Sequence, residues 1–214
     1  MARPRLHDEA LAEELLQRAA AMIAAGGPDN LSVRKVSQAA GTSTSAVYSL
    51  YGSKESLLQA VYERAARGFA ASQVIEFSDD AAQDLLQLSM NYRTWALENP
   101  HLYPVMFDGR SGLQNAEAGA LGQSTIQPLV AVVQRAIDAG FLRQADAFQV
   151  AVALRTSVHG YVMLELAGLL GRHFGGQLAT DPDAAYYNYT LVAVAYWATD
   201  IERVRSRIKS GGTA

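Results

Sequence analysis

The chain is expected to be all-α: an N-terminal three-helix head of the helix-turn-helix type followed by a larger helical body, about nine helices in total. Three observations predict this. Apolar residues recur at spacings of three and four along most of the chain, while strand-like alternation is nearly absent. Proline and glycine fall between these periodic segments rather than inside them. Residues 41–54, Gly-Thr-Ser-Thr-Ser-Ala-Val-Tyr-Ser-Leu-Tyr-Gly-Ser-Lys, read as a tight turn and a short helix closed by a second glycine. That is the plan of a unit whose second helix enters the DNA major groove.

The first helix, about residues 8–25, aligns Leu11, Leu15, Ala19, Met22 and Ile23 on one stripe and ends at Gly26-Gly27-Pro28. Val33, Val36, Ala39 and Ala40 give the short second helix an apolar face. Gly41 suits a turn of positive φ, and Ser43 is placed to cap the third helix. Ser53 caps a fourth, whose buried face is Leu57, Leu58, Val61, Tyr62, Ala65 and Phe69. Residues 73–78 read as a connector, so the head is placed at residues 1–72 and the body at 73–209.

Ser78-Asp79-Asp80 opens the fifth helix, where Ala81, Leu85, Leu88, Tyr92 and Trp95 repeat at four and three before Asn99-Pro100 stops it. Residues 101–107 form a short apolar helix. Residues 108–123 hold four glycines and little periodicity, which predicts a loop. The seventh helix has Pro128 in its first turn and Gly140 past its end. Asp146 opens the eighth, which runs to about Leu170. Residues 172–180 link it to the ninth, capped by Asp181, led by Pro182 and continuing to about Arg207. Residues 210–214 are expected to be disordered.

Composition narrows the function. Half of the 214 residues are apolar, enough for a sizeable core. There is no cysteine, hence no disulfide and no thiolate metal site, which fits the reducing cytoplasm where the protein is expected. No apolar run reaches the ~18 residues that span a bilayer. The first residues lack a signal peptide's apolar core. No membrane partner is expected. The net charge of -3 argues against a non-specific nucleic-acid binder. Residues 1–68 nevertheless carry eight Lys or Arg against seven Asp or Glu, and the remainder ten against fourteen, so the basic residues lean towards the head. No histidine pair has metal-site spacing, and no nucleophile-and-base motif or phosphate-cradling glycine loop occurs. His159 and Glu165, six apart, would lie ~120° apart around a helix. No catalytic residue, metal or cofactor is expected.

The recognition helix is rich in hydroxyls: Thr42, Ser43, Thr44, Ser45 and Ser49. It holds no Arg, Asn or Gln for bidentate base contacts, so direct readout reduces to the Thr44 methyl and single hydroxyl bonds. DNA shape and an N-terminal arm carrying Arg3 and Arg5 into the minor groove would supply the rest. Phosphate anchoring is better provided. Tyr48 can present its hydroxyl to a phosphate, Lys54 sits at the N-terminus of the fourth helix, and Arg34 lies in the first turn of the second.

The run from Ser32-Val33-Arg34-Lys35-Val36-Ser37-Gln38-Ala39-Ala40-Gly41 to Ser53-Lys54-Glu55-Ser56-Leu57-Leu58 resembles the N-terminal DNA-binding domain of the TetR family of transcriptional repressors, and the likeness extends back over residues 8–25. The resemblance implies a double-stranded DNA operator as partner, with the Tyr48 and Lys54 positions on phosphate. Two departures stand out. Leu50 occupies a position often held by histidine, and Lys35 one customarily acidic, which leaves Ser32 without a carboxylate for a capping box. The same head would serve an activator or an effector-independent DNA-binding protein.

The eighth and ninth helices are apolar on nearly all sides, and a monomer of this size cannot easily cover both. Pairing with a second copy would, giving a homodimer through a two-fold four-helix bundle, with Val162 and Val194 as expected interface positions. Two recognition helices would then face DNA about 34 Å or a multiple apart.

Ser157-Val158-His159-Gly160 with Leu164-Glu165-Leu166-Ala167, and residues 99–107, resemble the regulatory domain of a TetR subgroup named for a Trp-His-Gly run, with Val158 at the Trp position. The resemblance implies a pocket whose small-molecule effector lowers operator affinity. Candidate lining residues are Trp95, Tyr103, Met106, Phe107, Arg155, His159 and Tyr161, polar or aromatic groups on apolar faces that suit a hydrophobic effector. Arg155 stands in a helix nearly free of charge and calls for a partner, either Glu165 or an anionic ligand.

Overall fold

The computed structural model describes residues 5–107, 123–173 and 181–210. Among them eleven α-helices follow one another and no strand occurs. They are α1 (Arg5–Gly26), α2 (Val33–Ala39), α3 (Thr44–Tyr51), α4 (Lys54–Ser72), α5 (Ala81–Glu98), α6 (Leu102–Phe107), α7 (Gln127–Asp138), α8 (Ala147–Leu166), α9 (Leu169–His173), α10 (Pro182–Ala195) and α11 (Ile201–Ser210). Arg5 opens α1 instead of belonging to an extended arm. Arg3, residues 108–122 of the expected loop, 174–180 of the expected link and 211–214 of the expected tail lie outside the described residues.

Helix starts follow local side-chain chemistry. Ser43 Oγ accepts from the Ala46 N–H at 3.1 Å, Ser53 Oγ from Ser56 at 3.0 Å, and Asp146 Oδ1 from Gln149 at 2.9 Å. Each satisfies a donor that the first helical turn leaves open. Gly41, at φ 64°, makes the turn between α2 and α3 in a region where a Cβ would be strained.

The chain groups into two compact units, Met1–Ala70 with Glu98–Gln123, and Ala71–Leu97 with Ser124–Ala214. In the first, Leu15, Ala19 and Ile23 of α1 are buried together with Val36, Val47, Leu57, Val61 and Phe69. α6 packs on α1 and buries Leu102, Tyr103 and Val105. Residues 102–107, which fall inside the expected 73–209 body, group by contacts with the head helices.

In the second unit, Leu85 and Leu86 of α5, Val132, Val133 and Ile137 of α7, Val150 and Leu154 of α8, Leu191 and Val194 of α10, and Val204 of α11 share one core. Asp84 pins the start of α5: its Oδ1 accepts from Ser78 Oγ at 2.7 Å and Ser78 N at 3.0 Å, and Oδ2 from Arg135. Burial alone would raise its pKa, but these bonds hold it below the ordinary carboxylate value.

The expected single helix from 181 to 207 is broken. Trp197 O accepts from Arg143 N at 2.8 Å, Thr199 Oγ1 donates to Gly140 O at 2.7 Å, and Leu142 bridges Ala198. The turn after α7 thus captures the backbone of 197–199, and Asp200 caps a new helix by accepting from Glu202 N at 2.9 Å.

α8 and α10 each keep an exposed apolar edge, with Phe148, Val152, Met163 and Leu164 on one and Val192 on the other, where Tyr196 follows directly. Val162 and Val194, expected on a pairing face, are only 0% and 4% exposed within the single chain. They belong to the unit's own packing, because the inward stripe of each helix was already the one that α5 and α7 cover.

Candidate nucleic-acid interface and internal cavity

α3 has two faces. Val47, 1% exposed, seats it in the core of the first unit, and Tyr51 Oη donates to the Ala12 carbonyl of α1 at 2.9 Å. Burial and the nearby Glu13 carboxylate push Tyr51 up to about 12, so it stays a neutral donor. Thr44, Ser45, Tyr48 and Ser49 lie on the outer face, all exposed, with Tyr48 at 51%. Their spacing of one, three and one keeps them side by side on a helix. Thr42 is half-buried, its N–H held by the Ser37 carbonyl at 2.9 Å, and Ser43 Oγ is engaged as the cap.

Lys54 is the first residue of α4, directly after the Ser53 cap, and is partly exposed. Arg34 and Lys35 are exposed in the first turn of α2, where Ser32 Oγ accepts from Lys35 N at 3.4 Å. Cations at two helix N-termini beside open backbone N–H groups are suited to anions such as phosphate. The exposed side chain of Gln38, one turn after Arg34, joins the same group and was not anticipated from sequence.

The second unit contains a cavity lined by Gln73, Leu85, Leu88, Ser89, Tyr92, Leu129, Leu154, Arg155, Val158, Thr190, Ala193 and Val194. It offers about 40 Å³ to water-sized occupants, a few times the roughly 10–15 Å³ that one water requires. Ser89 and Thr190 add little polarity, because their hydroxyls lie 2.8 Å apart and Tyr186 Oη accepts from Ser89 Oγ at 2.9 Å. Tyr186 in turn donates to the Ser89 carbonyl at 2.8 Å, and burial raises its pKa, which keeps it neutral.

Arg155 is the one charged side chain among the described lining residues, and its Nη1 donates to Thr125 Oγ1 at 2.9 Å. His159, one turn further on, sets Nδ1 3.3 Å from Tyr92 Oη, and burial together with the Arg155 charge lowers its pKa. Glu165 does not serve Arg155. It accepts from Arg93 at 2.7 Å on each carboxylate oxygen, and Arg93 also donates to Asp183 at 2.6 Å. Arg93 escaped sequence reading because it adjoins the apolar Tyr92–Trp95 stripe. The unexplained carboxylate of Glu165 in an apolar helix was its trace.

The other candidates are dispersed. Tyr161 is buried with its ring 5.2 Å from Tyr186 and 4.8 Å from Tyr189, and Trp95 is buried in α5. Tyr103 and Phe107, 5.2 Å apart, and Met106 belong to α6 in the first unit. Of the seven candidates, Arg155 lines the cavity, and His159 reaches its wall through Tyr92. No helix among the described residues is long and apolar enough to cross a membrane.

Residues 15–61 match a family model described as bacterial regulatory proteins, tetR family, and residues 85–193 match one described as the tetracyclin repressor-like C-terminal domain. No curated protein matches the chain. Among solved structures, a TetR family transcription regulator from Marinobacter aquaeolei is similar over 89% of this chain and 98% of its own, with a TM-score of 0.71 at 19% identity. PfmR, a TetR family transcriptional regulator from Thermus thermophilus, covers 84% and 96%, with a TM-score of 0.66 at 21% identity. A protein of unknown function from a Rhodococcus species covers 88% and 96%, with a TM-score of 0.69 at 23% identity.

Proposed function

Because the chain belongs to the TetR family of transcriptional regulators, we propose that it is a ligand-responsive repressor that binds a palindromic operator as a homodimer and leaves it when a small apolar effector fills the cavity between α5, α7, α8 and α10. The observation that carries this reading is the split character of α3. One face is anchored by Val47 and Tyr51, and the other offers Thr44, Ser45, Tyr48 and Ser49 to a groove beside Lys54 and Arg34. The exposed apolar edges of α8 and α10 support pairing with a second copy. The cavity is apolar with few polar points, as small-molecule sites are.

The test is selection of bound duplexes from a random pool with the purified protein. The expected product is an inverted repeat whose half-sites are about one helical turn apart. Recovery of unrelated sequences with equal retention at each salt concentration would refute operator recognition.

A further inference from the structure

We infer that the second copy seats on one row of α8, Val152, Thr156, Gly160 and Leu164, with the two-fold axis passing between Thr156 and Gly160. Thr156 of each copy then faces Gly160 of the other, and Val152 faces Leu164. The inference rests on the homodimer reading and adds the residues that meet and their register.

Positions spaced by four form one ridge along a helix. Here the ends of the ridge are apolar and exposed, Val152 at 40% and Leu164 at 38%. Its middle is small. Gly160 is exposed in the interior of α8, and a Cβ there would meet nothing within 4 Å. Its backbone is helical, so no left-handed φ calls for glycine either. Within the single chain this glycine serves no packing need and costs helix stability relative to alanine. Close approach of another backbone is the use that a missing side chain does serve. Thr156 is exposed as well, but its Oγ1 already donates to the Val152 carbonyl at 2.8 Å. Covering it leaves no donor unsatisfied.

Charge identifies the occupant. Between Asp146 and Glu165, α8 carries Arg155 as its one Asp, Glu, Lys or Arg, and that side chain is half-buried on Thr125. α10 and the turn after it carry none between Asp183 and Asp200. Tyr189 Oη of α10 donates to the Ser157 carbonyl at 2.9 Å, and Ala198 bridges Leu142, so α10 runs antiparallel beside α8. The exposed Val192 therefore flanks the Val152 end of the row. An acidic or basic partner finds no counter-charge on this face. A second copy finds its own complement. Read in opposite directions, two rows that are large, small, small and large match each other, as a two-fold contact requires. The small pair lets the helices approach at their crossing, and the apolar residues close over both sides.

The chain has no cysteine, so introduced cysteines report the register directly. The experiment is mild oxidation of the full-length protein carrying Val152→Cys and Leu164→Cys together, read by non-reducing electrophoresis. Covalent dimer is expected from the double variant and from neither single variant. The two positions lie about 18 Å apart along one helix, beyond the roughly 7 Å a disulfide spans, so no bridge forms within one chain. In parallel, Gly160→Leu should weaken dimerisation at least about tenfold in sedimentation, the scale of overpacking a close contact. Its melting at concentrations where the chain is monomeric should not fall, because the new side chain finds open space there.

Covalent dimer from Val152→Cys alone, or undiminished dimerisation of Gly160→Leu, would overturn the register. A Gly160→Leu monomer that melts lower would give the glycine a role in the fold and overturn the inference. A sedimenting dimer that the double variant fails to crosslink would overturn the register and leave the homodimer standing. A lone subunit at every concentration would remove both.

Discussion

Arg93 holds Glu165 through two hydrogen bonds, Nε to Oε2 and Nη2 to Oε1, each 2.7 Å long. The pair joins α5 to α8, and the two side chains are 6% and 16% exposed. Asp183 at the start of α10 binds the same guanidinium at 2.6 Å but is 73% exposed. The two carboxylates should therefore differ in weight. Glu165→Gln leaves a buried cation without its main counter-charge and is expected to cost on the order of 3 kcal/mol. Asp183→Asn removes a solvent-screened contact and should cost less than about 1 kcal/mol. Denaturant midpoints of the two variants check the ordering, and equal losses would contradict it.

His159 gives the unit a pH dependence with a definite sign. Its folded pKa lies below the ordinary 6.5 because of burial and the charge of Arg155. Between the two values the unfolded chain binds the proton and the folded chain does not. Stability therefore rises with pH through this window and is lost as pH falls from about 6.5 towards the folded value. One such group contributes a slope of at most about 1.4 kcal/mol per pH unit. His159→Asn should flatten the stability profile below about pH 6.5 and leave it unchanged above pH 7. An unaltered profile would show that the imidazole titrates alike in both states.

The helix plan was legible because its signals are local. Ser43, Ser53 and Asp146 each cap a backbone N–H three residues on, and Gly41 turns the chain where it stands. The outer face of α3 was legible for the same reason: the periodicity that buries Val47 exposes Tyr48. What local pattern cannot give is pairing across long separations. Arg93 and Glu165 are 72 residues apart, and Thr199 reaches Gly140 over 59. Sequence offers Arg155 either Glu165, on the same helix, or an anionic ligand as partner, whereas Glu165 pairs with Arg93 of α5. Likewise an aromatic on an apolar face reads the same whether it lines a cavity or a core, and Tyr103 proved to pack with α1.

Apolar periodicity also could not say which stripe of α8 and α10 stays outside. Val194 and Val192 now separate folding from pairing. Val194→Glu buries a charge in the core that α10 shares with α5 and α7, and should unfold the second unit. Val192 is 62% exposed. Val192→Glu should leave the circular dichroism spectrum and melting of the single chain nearly unchanged while converting a dimer to monomers in sedimentation, with operator affinity falling as the two heads uncouple. A dimer that survives Val192→Glu and Val152→Glu together would move the interface off these helices.

Lys54 and Tyr48 should both act on the phosphate backbone rather than on bases. Lys54 stands at the N-terminus of α4, where backbone N–H groups and the helix dipole already attract an anion, and its charge adds one counterion release on binding. Lys54→Ala is therefore expected to weaken binding to operator and to random duplex by similar factors, and to lower the slope of log affinity against log salt by about one. Tyr48→Phe removes a neutral hydroxyl, so affinity should fall by about 0.5–1.5 kcal/mol with the slope unchanged. Fluorescence anisotropy on both duplexes between 50 and 200 mM salt, roughly the range over which phosphate contacts dominate, separates the two roles. A loss for Lys54→Ala confined to one operator position would instead make it a base reader.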